Sequence, residues 1–197
     1  MNKFKKIDRE TFNKFIPFYI LAVVMLWMKT YISQKTQFKL DVDGFLQEFL
    51  LFINPLGSAL LLLSLSFFFK GTRKYFSLLV IYTLMTILLY ANAVYYRFFS
   101  DFITLPTLFQ TQNFGDLGGS VMTLIQPWDV LFFVDVVFLA VLVFSKRFKK
   151  DKTNFRTKVV LPMITAALAI SFLNLAMAEG DRPQLLTRGF DRSYIVK

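Results

Sequence analysis

The sequence reads as an all-α polytopic membrane protein of five transmembrane helices, with short interfacial helices in the outer loop between helices 3 and 4. Three observations predict this. Hydrophobic residues make up 55% of the 197-residue chain and 25 residues are Phe. They fall in five apolar runs, each close to the ~20 helical residues that cross a ~30 Å hydrocarbon core. Charge is also unevenly placed: fifteen of the 23 Lys and Arg lie in segments 1–14, 70–74 and 146–158, with only three of the 13 Asp and Glu. Those segments therefore carry +12 and the remainder −2. By the positive-inside rule the N-terminus is cytoplasmic and the C-terminus extracellular, in a multi-pass plasma-membrane protein.

This placement also disposes of nucleic acid as the reason for the net +10, because the basic residues flank apolar runs. Histidine and cysteine are absent. Zinc sites of the usual type, disulfides and Cys/His or Ser/His/Asp catalysis are excluded.

The first span is expected at residues 15–32, with Pro17 tolerated in its opening turn. Lys29 lies three residues from its outer end, where its long stem is expected to snorkel to the interface, with pairing to an intramembrane acid as the alternative. A polar loop at 33–48 contains Asp41, Asp43 and Gly44. The second span, 45–69, is longer than the hydrocarbon core is thick, so it should tilt or kink, with Asn54-Pro55 as the expected kink. A tight inner turn at 70–74 leads into the third span, 75–96.

The third span carries a polar stripe. If the helix continues to Asp101, a turn of ~100° per residue places Thr83, Thr86, Tyr90, Arg97 and Asp101 on one narrow face. Such a face should turn toward protein or a wet cavity, since lipid offers a polar group no partner. Arg97 and Asp101 form either a local ion pair or a site in which Arg97 contacts a lipid phosphate. Tyr90 and Asn92 join them as candidates for lipid or interdomain contact. The outer connection, 98–127, has apolar residues at helical spacing on either side of a glycine-rich break at Asn113, Gly115, Gly118 and Gly119, which predicts two helices lying in the membrane surface.

The fourth span is expected at 128–145, with Trp128 as an interface anchor and Asp129 hydrated beside it. Asp135 lies ~10 Å further in. A carboxylate at that depth needs a partner or water, so Asp135 is either a structural ion pair or a functional site, with Arg97 or Lys29 as its partner. The fifth span is expected at 159–178. Ala167, Ser171, Asn174 and Ala178 share a face there whose small side chains permit close helix contact. Ala176-Met-Ala178 also resembles a signal-peptidase site, although a packed helix end is the simpler account. Residues 179–197 form an extracytoplasmic linker in which Glu179, Asp181, Arg182 and Arg188 are candidates for a charged collar, a solvated linker being the alternative.

Two stretches, LLYANAVYYRFFSDFITLPTL at 88–108 and FLNLAMAEGDRPQLLTRGFDRSYIVK at 172–197, resemble the membrane part of lipoteichoic acid synthases. FINPLG at 52–57 and FGDLGGSV at 114–121 support the likeness. The resemblance implies a five-span domain at 1–178 and a tether at 179–197, followed by an extracellular domain of alkaline phosphatase or sulfatase type. That domain would use a threonine nucleophile and a manganese or magnesium site to transfer glycerol phosphate from phosphatidylglycerol to a lipid-anchored polymer. All catalytic and metal-binding residues would then lie beyond Lys197. On this reading the present chain has no cofactor and is inactive alone, and it anchors and orients its catalytic domain. Phosphatidylglycerol, the glycolipid anchor, the downstream domain and cell-envelope proteins are the partners implied. A small lipid transporter or scramblase, or a purely structural anchor, is the alternative.

Overall fold

The computed structural model describes residues 9–38, 44–100, 102, 123–145 and 157–180. Five α-helices account for most of them: α1 (Arg9–Thr36), α2 (Phe45–Ser64), α3 (Arg73–Phe99), α4 (Leu131–Phe144) and α5 (Thr157–Gly180). Turns of 3-10 helix extend α2 at Leu65–Phe68 and precede α4 at Pro127–Val130. Four segments, Lys14–Thr36, Phe45–Phe68, Arg73–Phe99 and Pro127–Phe144, are long and apolar enough to cross a membrane, and α5 adds a shorter apolar stretch at Val160–Leu173. The five-helix membrane architecture read from the sequence is thus present. The interfacial helices expected between α3 and α4 fall outside the described residues.

Successive helices run up and down, so the ends flanked by Lys14, Lys70–Lys74 and Lys158 form one basic end. Aromatic rings seal it. Phe15 meets Phe67 edge-on at 5.0 Å and Tyr75 at 4.9 Å, and Tyr19 packs on Phe67 at 4.9 Å while its hydroxyl donates to the Leu60 carbonyl at 2.8 Å. Edge-to-face contacts of this kind add to the burial of the rings themselves. Lys74 is fully buried here, its ammonium 5.1 Å from the centre of the Phe15 ring. The 3-10 turn delivers Phe67 to this cluster. Ser64 and Ser66 donate to the carbonyls of Leu61 and Leu63, each at 2.6 Å, and side-chain bonds back to the preceding turn favour such local tightening. The α-helical hydrogen bonding of this hairpin arm gives way to 3-10 geometry at Leu65–Phe68, and α2 is helical on both sides of Pro55.

At the opposite, distal end α1 runs four residues beyond the expected span, to Thr36, and α3 runs to Phe99. Ser100 then adopts a left-handed conformation (φ 54°, ψ 29°), its N–H bonded to the Tyr96 carbonyl at 2.8 Å. The helix therefore stops before Asp101. The register that would align Asp101 with Arg97 does not extend to it, and Asp101 itself lies outside the described residues. Phe38, Tyr96 and Phe102 close this corner through ring contacts of 4.9–5.3 Å. The α1–α2 pair is tied by Trp27, whose indole N–H donates to the Phe52 carbonyl at 2.7 Å, and by Glu48, which accepts from Tyr31 and pairs with Lys35.

Helices α1, α2 and α3 form the central group. Helix α4 lies against α3, and α5 packs on the far side of α2. The α2–α5 contact depends on small residues. Ala167 is fully buried, and a Cβ added at Gly57 would lie 2.6 Å from Ser171 Oγ and 3.4 Å from the Ser171 nitrogen. A glycine costs about 1 kcal/mol relative to alanine inside a helix. Here it allows the α5 backbone to come close, the usual basis of helix association in lipid. The small-residue face expected on the fifth helix is therefore in use at Ala167 and Ser171, while the side chains of Asn174 and Ala178 are outside the described set.

Gly57→Leu is expected to push α5 off α2 and destabilise the domain by about 1–3 kcal/mol, the usual cost of overpacking. Unfolding in detergent micelles measures this. Gly57→Ala combined with Ser171→Ala, which removes the clashing oxygen, should cost clearly less. Equal losses for the two would show that close approach at this point does not matter.

Candidate functional site

Helices α1 and α4 touch little, and between their distal halves lies a cleft of about 860 Å³, open along one side. That volume is near the upper end for small-molecule sites. One wall is a stripe of α1, including Met25, Met28 and Ile32; the other is α4, including Leu131, Val134 and Phe138. Two ion pairs are built into this site.

The deeper pair is Lys29–Asp135. The ammonium lies 2.7 Å from Asp135 Oδ2, and the side chains are only 11% and 16% exposed. Lys29 also donates to Thr86 Oγ1 at 2.8 Å and to the Phe132 carbonyl at 3.0 Å, so its three protons all have acceptors. Asp135 accepts further bonds from the Val136 N–H at 2.8 Å and from the Tyr82 hydroxyl. The Tyr82 ring also lies 4.9 Å from the ammonium, within cation–π range. Lys29 therefore does not snorkel. It is held below the helix end because α4 presents a carboxylate at its depth, and pairing there removes two uncompensated charges from lipid.

The second pair lies at the distal rim. Arg97 Nη2 and Nη1 meet the two Asp129 carboxylate oxygens at 2.7 and 2.9 Å, a forked contact. Nη1 also donates to the Leu124 carbonyl at 3.1 Å, and Nε and Nη2 donate to Gln37 Oε1 at 3.3 and 2.8 Å. All five guanidinium protons are thus engaged. Asp129 accepts additionally from the Gln126 N–H at 2.9 Å and from the Tyr90 hydroxyl at 3.3 Å. The expectation of a hydrated Asp129 is wrong, since the residue is only 5% exposed. The 3-10 turn begun by Pro127 turns its carboxylate inward, onto α3.

Of the residues singled out from the sequence, Tyr90 and Arg97 converge on Asp129 at the rim, while Asp135 takes Lys29 rather than Arg97 as its partner. Thr86 serves the Lys29 pair, whereas Thr83 bonds back to its own helix at the Leu79 carbonyl. Asn92 lies elsewhere: it donates to the Leu88 carbonyl at 3.0 Å and borders a smaller cavity of about 140 Å³ with Thr30, Pro55 and Ser58. The side chain of Glu179 and the whole of Asp181, Arg182 and Arg188 are outside the described residues. Sequence reasoning did not single out Tyr82 or Gln37 and misread Asp129. Tyr82 was findable, because Tyr82, Thr86, Tyr90 and Arg97 follow one face at spacings of four, four and seven. Gln37 carries no such signal.

Lys29→Met leaves Asp135 buried without its cation and is expected to cost about 3–5 kcal/mol, whereas Lys29→Met combined with Asp135→Leu should recover most of the loss. A double-mutant cycle in detergent checks this; additive losses would deny the coupling. By the same assay Arg97→Lys, which offers three donors in place of five, should destabilise the domain more than Lys35→Gln at the more exposed pair with Glu48.

Comparison with known proteins gives one consistent result. The family model described as the lipoteichoic acid synthase N-terminal domain matches residues 1–197. Lipoteichoic acid synthase 1 of Bacillus subtilis (strain 168) is 43% identical over 192 residues, covering 96% of this chain and 29% of that protein. The lipoteichoic acid synthases of Staphylococcus saprophyticus and Staphylococcus aureus (strain USA300) are 43% and 42% identical over 181 residues, covering 91% of this chain and 28% of each. The chain thus spans under a third of the length of these relatives. No solved structure matches it. With a family model that runs its whole length and relatives above 40% identity, the chain belongs to the lipoteichoic acid synthase N-terminal domain family.

Proposed function

We propose that this chain is the membrane domain of a glycerol phosphate transferase of the lipoteichoic acid synthase type. It anchors and orients an extracellular catalytic domain and holds that domain's lipid substrate or lipid-anchored product in the α1–α4 cleft. One observation carries the reading: a cleft of about 860 Å³ between the distal halves of α1 and α4 is lined mostly by apolar side chains, among them Ile32, Leu131, Val134 and Phe138, which stay 47–67% exposed. The matched part makes up 29% of one relative of this type, which leaves room for a further domain. A single helix would suffice for anchorage, so a five-helix bundle with a lateral cleft favours a domain that also handles lipid.

Orientation follows from charge. The basic end is cytoplasmic and the distal end, with the cleft rim, faces outward. Glu179, Asp181, Arg182 and Arg188 follow α5 in sequence, and we assign them to the seating of the catalytic domain on the membrane. The manganese or magnesium implied by the family belongs to that domain. The transporter reading has less support, because the cleft lining stops at Met25 and Phe138, and the core residues Ala22, Val23, Leu139 and Val143 close the bundle beyond.

Cysteines placed by Thr72→Cys and Thr153→Cys should be shielded from impermeant thiol reagents in intact cells, and one placed by Ser193→Cys should react. External labelling at position 153 would reverse the orientation. In the full-length protein Val134→Trp, which fills the cleft, should lower polymer synthesis severalfold at unchanged membrane abundance, with headgroup hydrolysis by the released soluble domain intact. Normal polymer in that variant would remove the cleft from the mechanism.

A further inference from the structure

The cleft contains two cations and two carboxylates in its lining, Lys29, Arg97, Asp129 and Asp135, so its formal charge is zero. More important is how these groups are used. The Lys29 ammonium and the Arg97 guanidinium have every proton engaged by protein acceptors. A lipid phosphate could take Arg97 only by displacing Asp129, which would be left buried without its cation. The hydroxyls of the rim are committed as well: Ser33 donates to the Lys29 carbonyl at 2.8 Å and Thr36 to the Ile32 carbonyl at 2.9 Å.

What remains for a ligand is mainly apolar surface, with the uncharged amides of Gln37 and Gln126 and the Trp128 indole as its polar groups. Ile32, Leu131, Val134 and Phe138 are 47–67% exposed although they line a concave site, and Met25 and Met28 add flexible side chains that adapt to chains of differing shape. Ten residues of helix separate Trp128 at the rim from Phe138 at the floor, a depth of ~15 Å, or about half the hydrocarbon core. This matches the chains of one leaflet.

We propose that the α1–α4 cleft takes the acyl chains of one diacyl lipid from the outer leaflet and does not discriminate by headgroup charge. The inference rests on the reading that the cleft holds lipid, and specifies what is recognised there. An anionic phosphoglyceride and an uncharged glycosyl diacylglycerol with the same chains then compete for one site on equal terms.

The test uses the chain reconstituted in zwitterionic bilayers, with phosphatidylglycerol and a diglucosyl diacylglycerol each carrying a photoactivatable group at a chain terminus. Both should label α1 and α4 around Met25 and Phe138 to within about twofold, unchanged by raising salt, which screens exposed charge. Val134→Trp should reduce both by about tenfold, equivalent to ~1.4 kcal/mol of binding. Leu131→Trp, on the more exposed part of the same wall, serves if Val134→Trp lowers stability. Tenfold stronger labelling by phosphatidylglycerol, or its loss at high salt, would overturn charge-independence while leaving the lipid site standing. Absence of cleft labelling by either lipid would sink the lipid-site reading and this inference with it.

Discussion

A charge within hydrocarbon must be neutralised and have its hydrogen-bonding capacity filled, because no water is present to do either. In this protein that requirement is met mainly between α4 and the rest of the bundle. Most of α4 faces outward, with Leu139 and Val143 its only buried apolar residues among those described. What fastens it is the pairing of Asp135 with Lys29 of α1 and of Asp129 with Arg97 of α3. Each pair is completed by neutral donors or acceptors, Tyr82 and Thr86 in the first, Gln37, Tyr90 and the Gln126 N–H in the second. A buried ion pair adds little net stability over a well-packed apolar alternative, yet losing one partner is costly. The pairs therefore determine where α4 sits more than how strongly the domain folds.

The cleft follows from that arrangement. Both clamps reach across from α4 and the turn before it to side chains on α1 and α3, and they hold α4 against α3 while leaving a gap between its distal half and the facing side of α1. Had α4 been attached by interdigitated apolar residues alone, lipid-like surfaces would have no strong reason to stop at one separation. Here the length of the Lys29 side chain and the fork of Arg97 set the separation. The result is an apolar groove whose charges are already spent on one another.

The attachment of α5 uses the opposite device. No described ion pair joins it to α2; Gly57, Ala167 and Ser171 let the two backbones come close, so that many small dispersion contacts replace a few strong ones. One flank of the bundle is thus held by close packing and the other by charge, and the α1–α4 cleft lies on the flank held by charge.

The helices themselves were legible in the residues alone, since the length of an apolar run and the charge at its ends are local properties. Spans expected at 128–145 and 159–178 lie within a residue or two of Pro127–Phe144 and Thr157–Gly180. Asp135 stood out for a local reason too, a carboxylate deep in an apolar run, and so did the need for it to find a cation. Which cation it found was a matter of tertiary structure. Lys29 and Asp135 are 106 positions apart, and their meeting depends on how α1 and α4 are placed around α3. Asp129 shows the same limit more sharply. Beside Trp128 at the end of a span, a carboxylate reads as hydrated, and only the inward turn after Pro127 makes it the partner of Arg97. Periodicity describes one helix at a time, whereas the pairing of charges is decided by the distance between helices, which no single segment encodes.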